Sequence, residues 1–157
     1  MGRPAWLVFL SLLALSSIGC QRKPPYQGKS VAQLERMLHD ADPAVQVQGA
    51  YGLGQHGPEA ASAVPALIDC LKSEHTSVRQ KSAHALGLIG PDARDAVPGL
   101  IETLCDKDWT VRRSAAMSLG QIGPDARAAV PSLEKLANDP DNLVGKAAQE
   151  ALTKIRR

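Results

Sequence analysis

Aromatic residues are scarce in this sequence, and neither sign of charge predominates. Phe, Trp and Tyr make up 3% of the 157 residues. A core with so few large rings packs thin helices closely and leaves little room for a large ligand pocket. The 18 Lys and Arg residues are nearly matched by 16 Asp and Glu residues, for a formal net charge of +2. Nonspecific nucleic-acid binding requires clustered positive charge, so this balance argues against a nucleic-acid partner.

Histidine and cysteine are too scattered to indicate a metal site or a secure disulfide. The four histidines occupy different positions of the repeat described below, whereas a metal needs three or four converging donors. They are His39, His56, His75 and His84. A disulfide needs two Cα atoms within about 7 Å, and packed helices lie about 8–10 Å apart. We therefore predict that Cys70 is partly buried and Cys105 is a surface thiol, with a bond between them as the alternative.

The one long apolar run lies at the N-terminus and predicts a signal peptide over residues 1–19. Arg3 precedes an apolar stretch that extends from Ala5 to Leu15, which is too short to span a membrane comfortably. The closing Gly19-Cys20 resembles a bacterial lipobox, in which Cys20 is lipidated, although Ser17 stands where Leu is usual. Cleavage by ordinary signal peptidase and simple secretion are the alternative. We predict a lipidated tether over residues 20–29 and a membrane-anchored protein of the bacterial cell envelope, facing the periplasm or the exterior.

A repeat with a period of 33 residues occupies the rest of the chain. The tripeptide Ala-Val-Pro begins at Ala63, Ala96 and Ala129. The same step relates several further positions: Val45, Val78, Val111 and Val144; Leu53, Leu86, Leu119 and Leu152; Gly57, Gly90 and Gly123. A fixed period of this length is typical of a solenoid, in which each unit buries its apolar face only by stacking on its neighbours.

The helix signals divide the repeat domain, residues 30–157, into five parts. We predict an N-terminal capping helix over 30–39, three repeats over 42–72, 75–105 and 108–138, and a final helix over 141–156. Each repeat has two helices. Helix A ends at Gly-Pro, as at Gly57-Pro58, and a short turn leads to helix B, with Pro65, Pro98 or Pro131 near its start. The predicted fold is an all-α, right-handed α-solenoid.

The second and third units share a motif that resembles the HEAT repeat. It consists of Val78-Arg79, Ala83, Leu86-Gly87 and Ile89-Gly90, and again of Val111-Arg112, Ala116, Leu119-Gly120 and Ile122-Gly123. The closest resemblance is to the short subtype that also occurs in phycobilisome lyases. The resemblance implies a solenoid whose helices B line a concave binding groove. It does not extend to the His-Glu pairs of the metal-binding HEAT enzyme deoxyhypusine hydroxylase, because no histidine here precedes Glu.

HEAT repeats often carry an Asp and an Arg that link successive units in a ladder. The matching Asp positions are Asp40, Ser73, Asp106 and Asp139, and the matching Arg positions are Gln46, Arg79, Arg112 and Gly145. Both ends of the ladder are therefore broken, and only Arg112 has an acidic residue, Asp106, in its own unit. We predict a solvated ion pair worth about 0–1 kcal/mol. A solvated surface is also predicted for the basic cluster Arg79, Lys81, Arg112 and Arg113.

These observations favour a non-catalytic scaffold that binds a protein partner and needs no metal or cofactor. The predicted contact residues face away from helix A on the concave helix B surface. They are Asp69, Lys72, Glu102, Thr103, Glu134 and Lys135. Two alternatives remain: a bilin lyase-like subunit, which the resemblance alone suggests, and a structural spacer in an envelope assembly.

Overall fold

The computed structural model describes residues 24–157, which form an all-α solenoid of two-helix repeats, as predicted. Eight α-helices occur in this part of the chain: α1 Val31–Met37, α2 Pro43–His56, α3 Val64–Cys70, α4 Thr76–Ile89, α5 Val97–Thr103, α6 Trp109–Ile122, α7 Val130–Leu136 and α8 Asn142–Ile155. The longer helices α2, α4, α6 and α8 are the predicted helices A. The shorter helices α3, α5 and α7 are the predicted helices B.

Local sequence signals define the ends of helices A. The side chain of Asp42 accepts a hydrogen bond from the Ala44 N–H at the start of α2, and Asp108 and Asp141 cap α6 and α8 in the same way. At the other end Gly90 and Gly123 have φ values of 77° and 78°, which favour glycine. Instead of the predicted short turn, a 3-10 segment begins at each of these glycines, over Gly90–Ala96 and Gly123–Ala129, with a kink at Ala93 or Ala126, and runs directly into helix B.

Glycine allows neighbouring helices A to approach each other closely. A Cβ atom placed on Gly120 of α6 would lie 2.8 Å from Cα of Ala151 in α8, and one on Gly87 of α4 would lie 2.9 Å from Cα of Ser118. The long helices pack against one another along their length around fully buried leucines such as Leu86. The backbones of successive helices B lie farther apart than those of successive helices A.

This difference in spacing determines which side of the stack is concave. A stack of two layers curves toward the layer whose members are closer together. Helices A therefore line the concave side, and helices B lie on the outer side with the 3-10 segments. The prediction that helices B line the concave groove disagrees with this spacing. The resemblance implies helices B on the concave side, but the curvature depends on which helices carry the small residues at their contacts.

The N-terminal residues of the described region pack onto the first repeat. The rings of Tyr26 and Tyr51 meet edge to face with centroids 4.9 Å apart. The imidazole Nε2 of His56 lies 3.1 Å from the carbonyl oxygen of Lys29, so His56 covers the edge of the first unit. The end of the predicted tether, residues 24–29, thus contacts α2. The predicted signal peptide, the remainder of the tether and Cys20 lie outside the described residues.

The last helix closes the other end of the stack. Ala50, Ala83 and Ala116 are fully buried, whereas the equivalent residue of α8, Gln149, is exposed because no further helix follows it in the stack. No helix within residues 24–157 combines the length and the apolar character needed to cross a membrane.

Candidate functional site

The structure places five of the six predicted contact residues on the exposed outer side. Asp69, Lys72, Glu102, Glu134 and Lys135 are exposed. Thr103 differs: its side chain is buried, and its hydroxyl donates a 2.7 Å hydrogen bond to the carbonyl oxygen of Gly99 one turn earlier. The prediction that Thr103 presents a surface contact is therefore wrong, because the helix rotates this position toward the neighbouring unit.

Two shallow depressions lie between successive units on this outer side, one repeat apart. One has a volume of about 140 Å³ and is lined by Ile68, Lys72, Gly99, Glu102 and Thr103, among others. The other, about 270 Å³, includes Asp69 and Cys70. The carboxylate of Glu134 forms an ion pair with the guanidinium group of Arg156. Lys72, Glu102 and Thr103 thus share one depression and Asp69 lies in the other, whereas Glu134 and Lys135 line neither, so the six residues do not form one site.

The predicted ladder has two well-formed rungs. Arg79 donates from Nε to Oδ2 of Asp106 at 2.7 Å and from Nη2 to Oδ1 at 3.0 Å. Arg112 makes the same bidentate contact with Asp139, at 2.9 Å and 3.0 Å. In the Arg79 pair the side chains are only 9% and 11% exposed. The predictions of a solvated pair and of a solvated Arg79 are therefore wrong.

The pairing of the rungs also differs from the prediction. The sequence predicts that Arg112 pairs with Asp106 of its own unit. Its Nη1 instead donates a 2.9 Å hydrogen bond to the backbone carbonyl oxygen of Asp106 and makes no contact with the carboxylate. Each Arg instead reaches the Asp that precedes helix A of the next unit, 27 residues further along the chain. In the first unit Gln46 donates to the carbonyl of Asp40 at 2.7 Å, which replaces the backbone contact without forming a rung.

The rungs change the ionisation of the two carboxyl groups. Burial alone would raise the pKa of Asp106, but hydrogen bonds from Arg79 and from the Asp108 N–H lower it below its ordinary value. The hydrogen bond from Arg112 is the main cause of the lowered pKa of Asp139. Both carboxylates are therefore charged at neutral pH and tie each unit to the next through charge-assisted hydrogen bonds.

The concave side presents a different and continuous surface, which we call the inner face. It consists of the exposed and half-buried residues at four repeat positions of helices A: Val47, Gln48, Tyr51 and Gln55; Gln80, Lys81, His84 and Leu88; Arg113, Ser114, Met117 and Gln121; Lys146, Glu150 and Lys154. Sequence reasoning missed this face. The available signal was that these positions differ from unit to unit while the core positions between them recur.

Contacts between helices show that these residues share one surface. The Nζ atom of Lys81 in α4 lies 5.9 Å from the centre of the Tyr51 ring in α2, within the range of a cation–π contact. Met117 of α6 lines a small depression together with Glu150 and Lys154 of α8. Burial, followed by the charge of Lys81, lowers the pKa of His84, so His84 is neutral at neutral pH. The inner face can thus supply cations, hydrogen bonds and apolar contacts to a bound chain.

Potential metal ligands do not cluster in the described region. No group of three or more His, Cys, Asp and Glu residues within residues 24–157 has the geometry to hold a metal ion. Cys70 is half-buried, Cys105 is exposed and both are free thiols, which confirms their predicted placement. Burial raises the pKa of Cys70, so its thiol is protonated at neutral pH.

The stacked two-helix units and the ladder define a repeat-built scaffold. A family model described as HEAT repeats matches residues 30–96 and 64–153. The chain belongs to the HEAT repeat family. No curated protein matches its sequence.

Solved structures of similar fold include two natural proteins and a designed one. Human deoxyhypusine hydroxylase, solved with glycerol, is 28% identical with a TM-score of 0.66, over 85% of this chain and 46% of the hydroxylase. The complex of CpcE and CpcF of phycocyanin lyase from Nostoc sp. PCC7120 is 22% identical with a TM-score of 0.63, over 90% and 70%.

The designed structure is an armadillo repeat protein in complex with the peptide (KR)4. It is 20% identical with a TM-score of 0.68, over 80% of this chain and 64% of the designed protein. The chain therefore spans less than two thirds of the hydroxylase and of the designed protein. The two likenesses below 25% identity show a shared solenoid fold.

Proposed function

We propose that this protein is a non-catalytic scaffold that binds a protein partner on its inner face. The observation that carries the proposal is the contrast between the two sides of the solenoid. The inner face is a continuous surface across four helices, with side chains that differ from unit to unit. On the outer side, Thr103 is buried, Glu134 is paired with Arg156, and Asp69 lies in a different depression from Lys72 and Glu102.

The rigidity of the stack supports a binding role. The ladder and the close helix contacts hold the inner face in one arrangement before a partner arrives, which reduces the entropic cost of association. A solenoid of the same fold has been solved with a bound peptide, the designed armadillo protein with (KR)4.

We further propose that lipidated Cys20 anchors this scaffold to the cell envelope. The support is the sequence of residues 1–20 alone. A single lipid-bearing cysteine would hold the domain beside membrane-associated partners and raise their effective concentration. Metabolic labelling with a radioactive fatty acid tests this: label should be incorporated into the full-length chain and lost in Cys20→Ser. Label retained in Cys20→Ser, or absent from both proteins, would contradict the anchor.

A bilin lyase-like subunit is the second candidate function, and the fold shared with CpcE and CpcF favours it over the structural spacer. At 22% identity this likeness concerns the fold. Co-expression with a bilin and an acceptor protein distinguishes the candidates, because a lyase would produce a covalently pigmented acceptor. A scaffold would leave the acceptor colourless.

Affinity capture with two matched variants tests the inner face. The full-length protein is used to capture partners from a cell-envelope extract, in parallel with Gln80→Trp on the inner face and Glu102→Trp on the outer side. Each variant adds one bulky side chain at a surface position, and a circular dichroism melt checks that each remains folded. We expect a discrete complex that Gln80→Trp removes and Glu102→Trp preserves.

The opposite pattern would move the binding site to the outer side, where helices B carry the residues predicted from the sequence. A complex that survives both substitutions would contradict binding at either the inner face or the outer side. The absence of any complex would favour the spacer over the scaffold.

A further inference from the structure

The two sides of the solenoid carry opposite charge, although the chain as a whole is nearly neutral. Helices A contain one acidic residue, Glu150, and six basic ones. The 3-10 segments and helices B contain seven acidic residues and three basic ones. The acidic residues are Glu59, Asp69, Asp92, Asp95, Glu102, Asp125 and Glu134, and all of them are exposed. The fold therefore separates charges that the sequence intermixes.

The positive charge of the inner face is available to a ligand. Of the six basic residues in helices A, Arg79 and Arg112 are neutralised by the ladder aspartates. Lys81, Arg113, Lys146 and Lys154 form no ion pair within residues 24–157. Lys81 is half-buried and the other three are exposed. Glu150 is the single acidic residue of these helices, so it can offset little of the positive charge of these four side chains.

A row of larger, partly apolar side chains runs beside these cations. Tyr51, His84 and Met117 occupy the same repeat position in α2, α4 and α6, and each is half-buried. Leu88 adds a further half-buried apolar surface, one turn beyond His84. A bound chain would thus find an anchoring row in the middle of the face and cations along its side.

We propose that the partner segment is an acidic peptide in extended conformation, with apolar residues between its Asp and Glu residues. The inference rests on the proposed function and names the chemistry of the partner. Carboxylates would pair with Lys81, Arg113 and Lys146, one cation from each of three successive helices A. The apolar residues would pack against the row formed by Tyr51, His84 and Met117.

The geometry of the stack sets the spacing of the acidic residues. Adjacent packed helices lie about 8–10 Å apart, so the cations recur at about that interval. An extended peptide in the polyproline II conformation advances about 3.1 Å per residue with three residues per turn, so every third side chain points the same way at intervals of about 9 Å. A matching peptide therefore carries an acidic residue at every third position, and about nine residues reach across three helices.

Fluorescence anisotropy with synthetic peptides tests this inference on the full-length protein. The probe is a labelled peptide of about nine residues with Glu at every third position and Leu, Phe and Ser between. Two comparison peptides carry Lys in place of Glu, or the same composition with the three Glu residues adjacent. We expect saturable binding of the first peptide that weakens as salt is raised, no binding of the Lys peptide and weaker binding of the adjacent-Glu peptide.

Charge reversal on each side supplies the matched control. The double variant Lys81→Glu with Arg113→Glu reverses the inner face, and Arg94→Glu with Arg127→Glu makes the same change in net charge on the exposed 3-10 segments. The first should weaken peptide binding by at least about tenfold, because like charges then face each other. The second should change it by less than about twofold, and the inner-face variant should gain binding of the Lys peptide.

Failure of this inference can be distinguished from failure of the proposed function. Equal weakening by both double variants, or no binding of the spaced-Glu peptide, would overturn the acidic partner while leaving the capture experiment to decide the scaffold. Phosphatidylcholine vesicles containing phosphatidylglycerol, and oligothymidylate, are run in parallel. Either ligand could bind as tightly as the peptide and be weakened equally by Lys81→Glu with Arg113→Glu. That result would overturn a peptide partner in favour of a lipid or nucleic-acid surface.

Discussion

Removal of Arg79 provides a direct test of the ladder that ties one repeat to the next. Arg79→Ala would delete the bidentate contact with Asp106 and the bonds to the carbonyl oxygens of Ser73 and Glu74. Asp106 would remain charged, with its side chain only 11% exposed and one backbone hydrogen bond, from the Asp108 N–H. The cost is therefore mainly that of leaving a poorly solvated carboxylate without its cation.

The burial of the pair determines the expected magnitude. Breaking a fully buried ion pair costs about 3–5 kcal/mol, whereas an exposed pair contributes about 0–1 kcal/mol. Since the two side chains are 9% and 11% exposed, we expect a loss near the lower end of the buried range, about 3 kcal/mol. Arg79→Lys should lose an intermediate amount, because an ammonium group cannot reproduce the planar bidentate contact.

Urea unfolding of the full-length protein, followed by circular dichroism, measures this loss. Arg113→Ala is the matched control, because Arg113 is an exposed arginine in the equivalent part of the next helix A and forms no ion pair in the described region. It should change the free energy of unfolding by no more than about 0.5 kcal/mol. If Arg79→Ala falls within that same range, the rung is no stronger than a solvated pair and the argument from burial is refuted.

Four further predictions follow from the ladder, the helix contacts and the core. Gln46→Arg with Ser73→Asp should create the missing first rung and raise the free energy of unfolding by about 1 kcal/mol, with little effect from either change alone; additive single effects would contradict it. Because the pKa values of Asp106 and Asp139 are lowered in the folded state, their stabilisation is present above the ordinary carboxyl pKa of about 3.9 and is lost as pH falls through the lower folded values. Asp139→Asn should therefore unfold with a weaker pH dependence in acid than the unmodified protein, and equal slopes would count against the rung. Gly120→Ala should destabilise by about 1–3 kcal/mol in urea, since its Cβ would meet the backbone of α8, whereas Gly99→Ala meets only the ends of the Leu71 and Ile68 side chains and should cost less. Leu86→Ala should cost about 2–5 kcal/mol and the half-buried Leu88→Ala much less, and equal losses would show that the repeat register is wrong.

Much of the fold could be predicted because its signals are local and recur at a fixed period. Asp42 and Pro43 start α2, and Gly-Pro pairs such as Gly90-Pro91 end helices A. Leu53, Leu86 and Leu119, which share one register, are all fully buried. Even the polar Gln149 could be assigned to the exposed end of the stack, because it stands where the other units have Ala.

The 3-10 segments show where local signals were incomplete. The Gly-Pro pairs correctly predicted the end of helix A, but each pair also begins a seven-residue 3-10 segment in place of a short turn. In each segment the buried alanines, such as Ala93 and Ala96, hold the backbone against the core. Packing against the core therefore decides the conformation of these segments, for which the local sequence alone predicts a turn.

The ladder and the candidate site depend on contacts between units, and the repeat period in the sequence does not specify those contacts. The sequence alone determined that Arg79, Arg112, Asp106 and Asp139 lie at repeating positions. It could not assign their partners, because pairing within a unit and pairing with the next unit satisfy the same period. Stacking brings each Arg beside the linker of the next unit, and burial there converts a weak surface pair into a strong one.

Curvature is the other property that only the tertiary structure decided. The sequence by itself determined a solenoid of repeated two-helix units and the composition of each helix. Which helices face inward depends on a comparison of two spacings, that of helices A and that of helices B. Gly87 and Gly120 draw helices A together, so the concave surface and its cations arise from packing across units that no single repeat specifies.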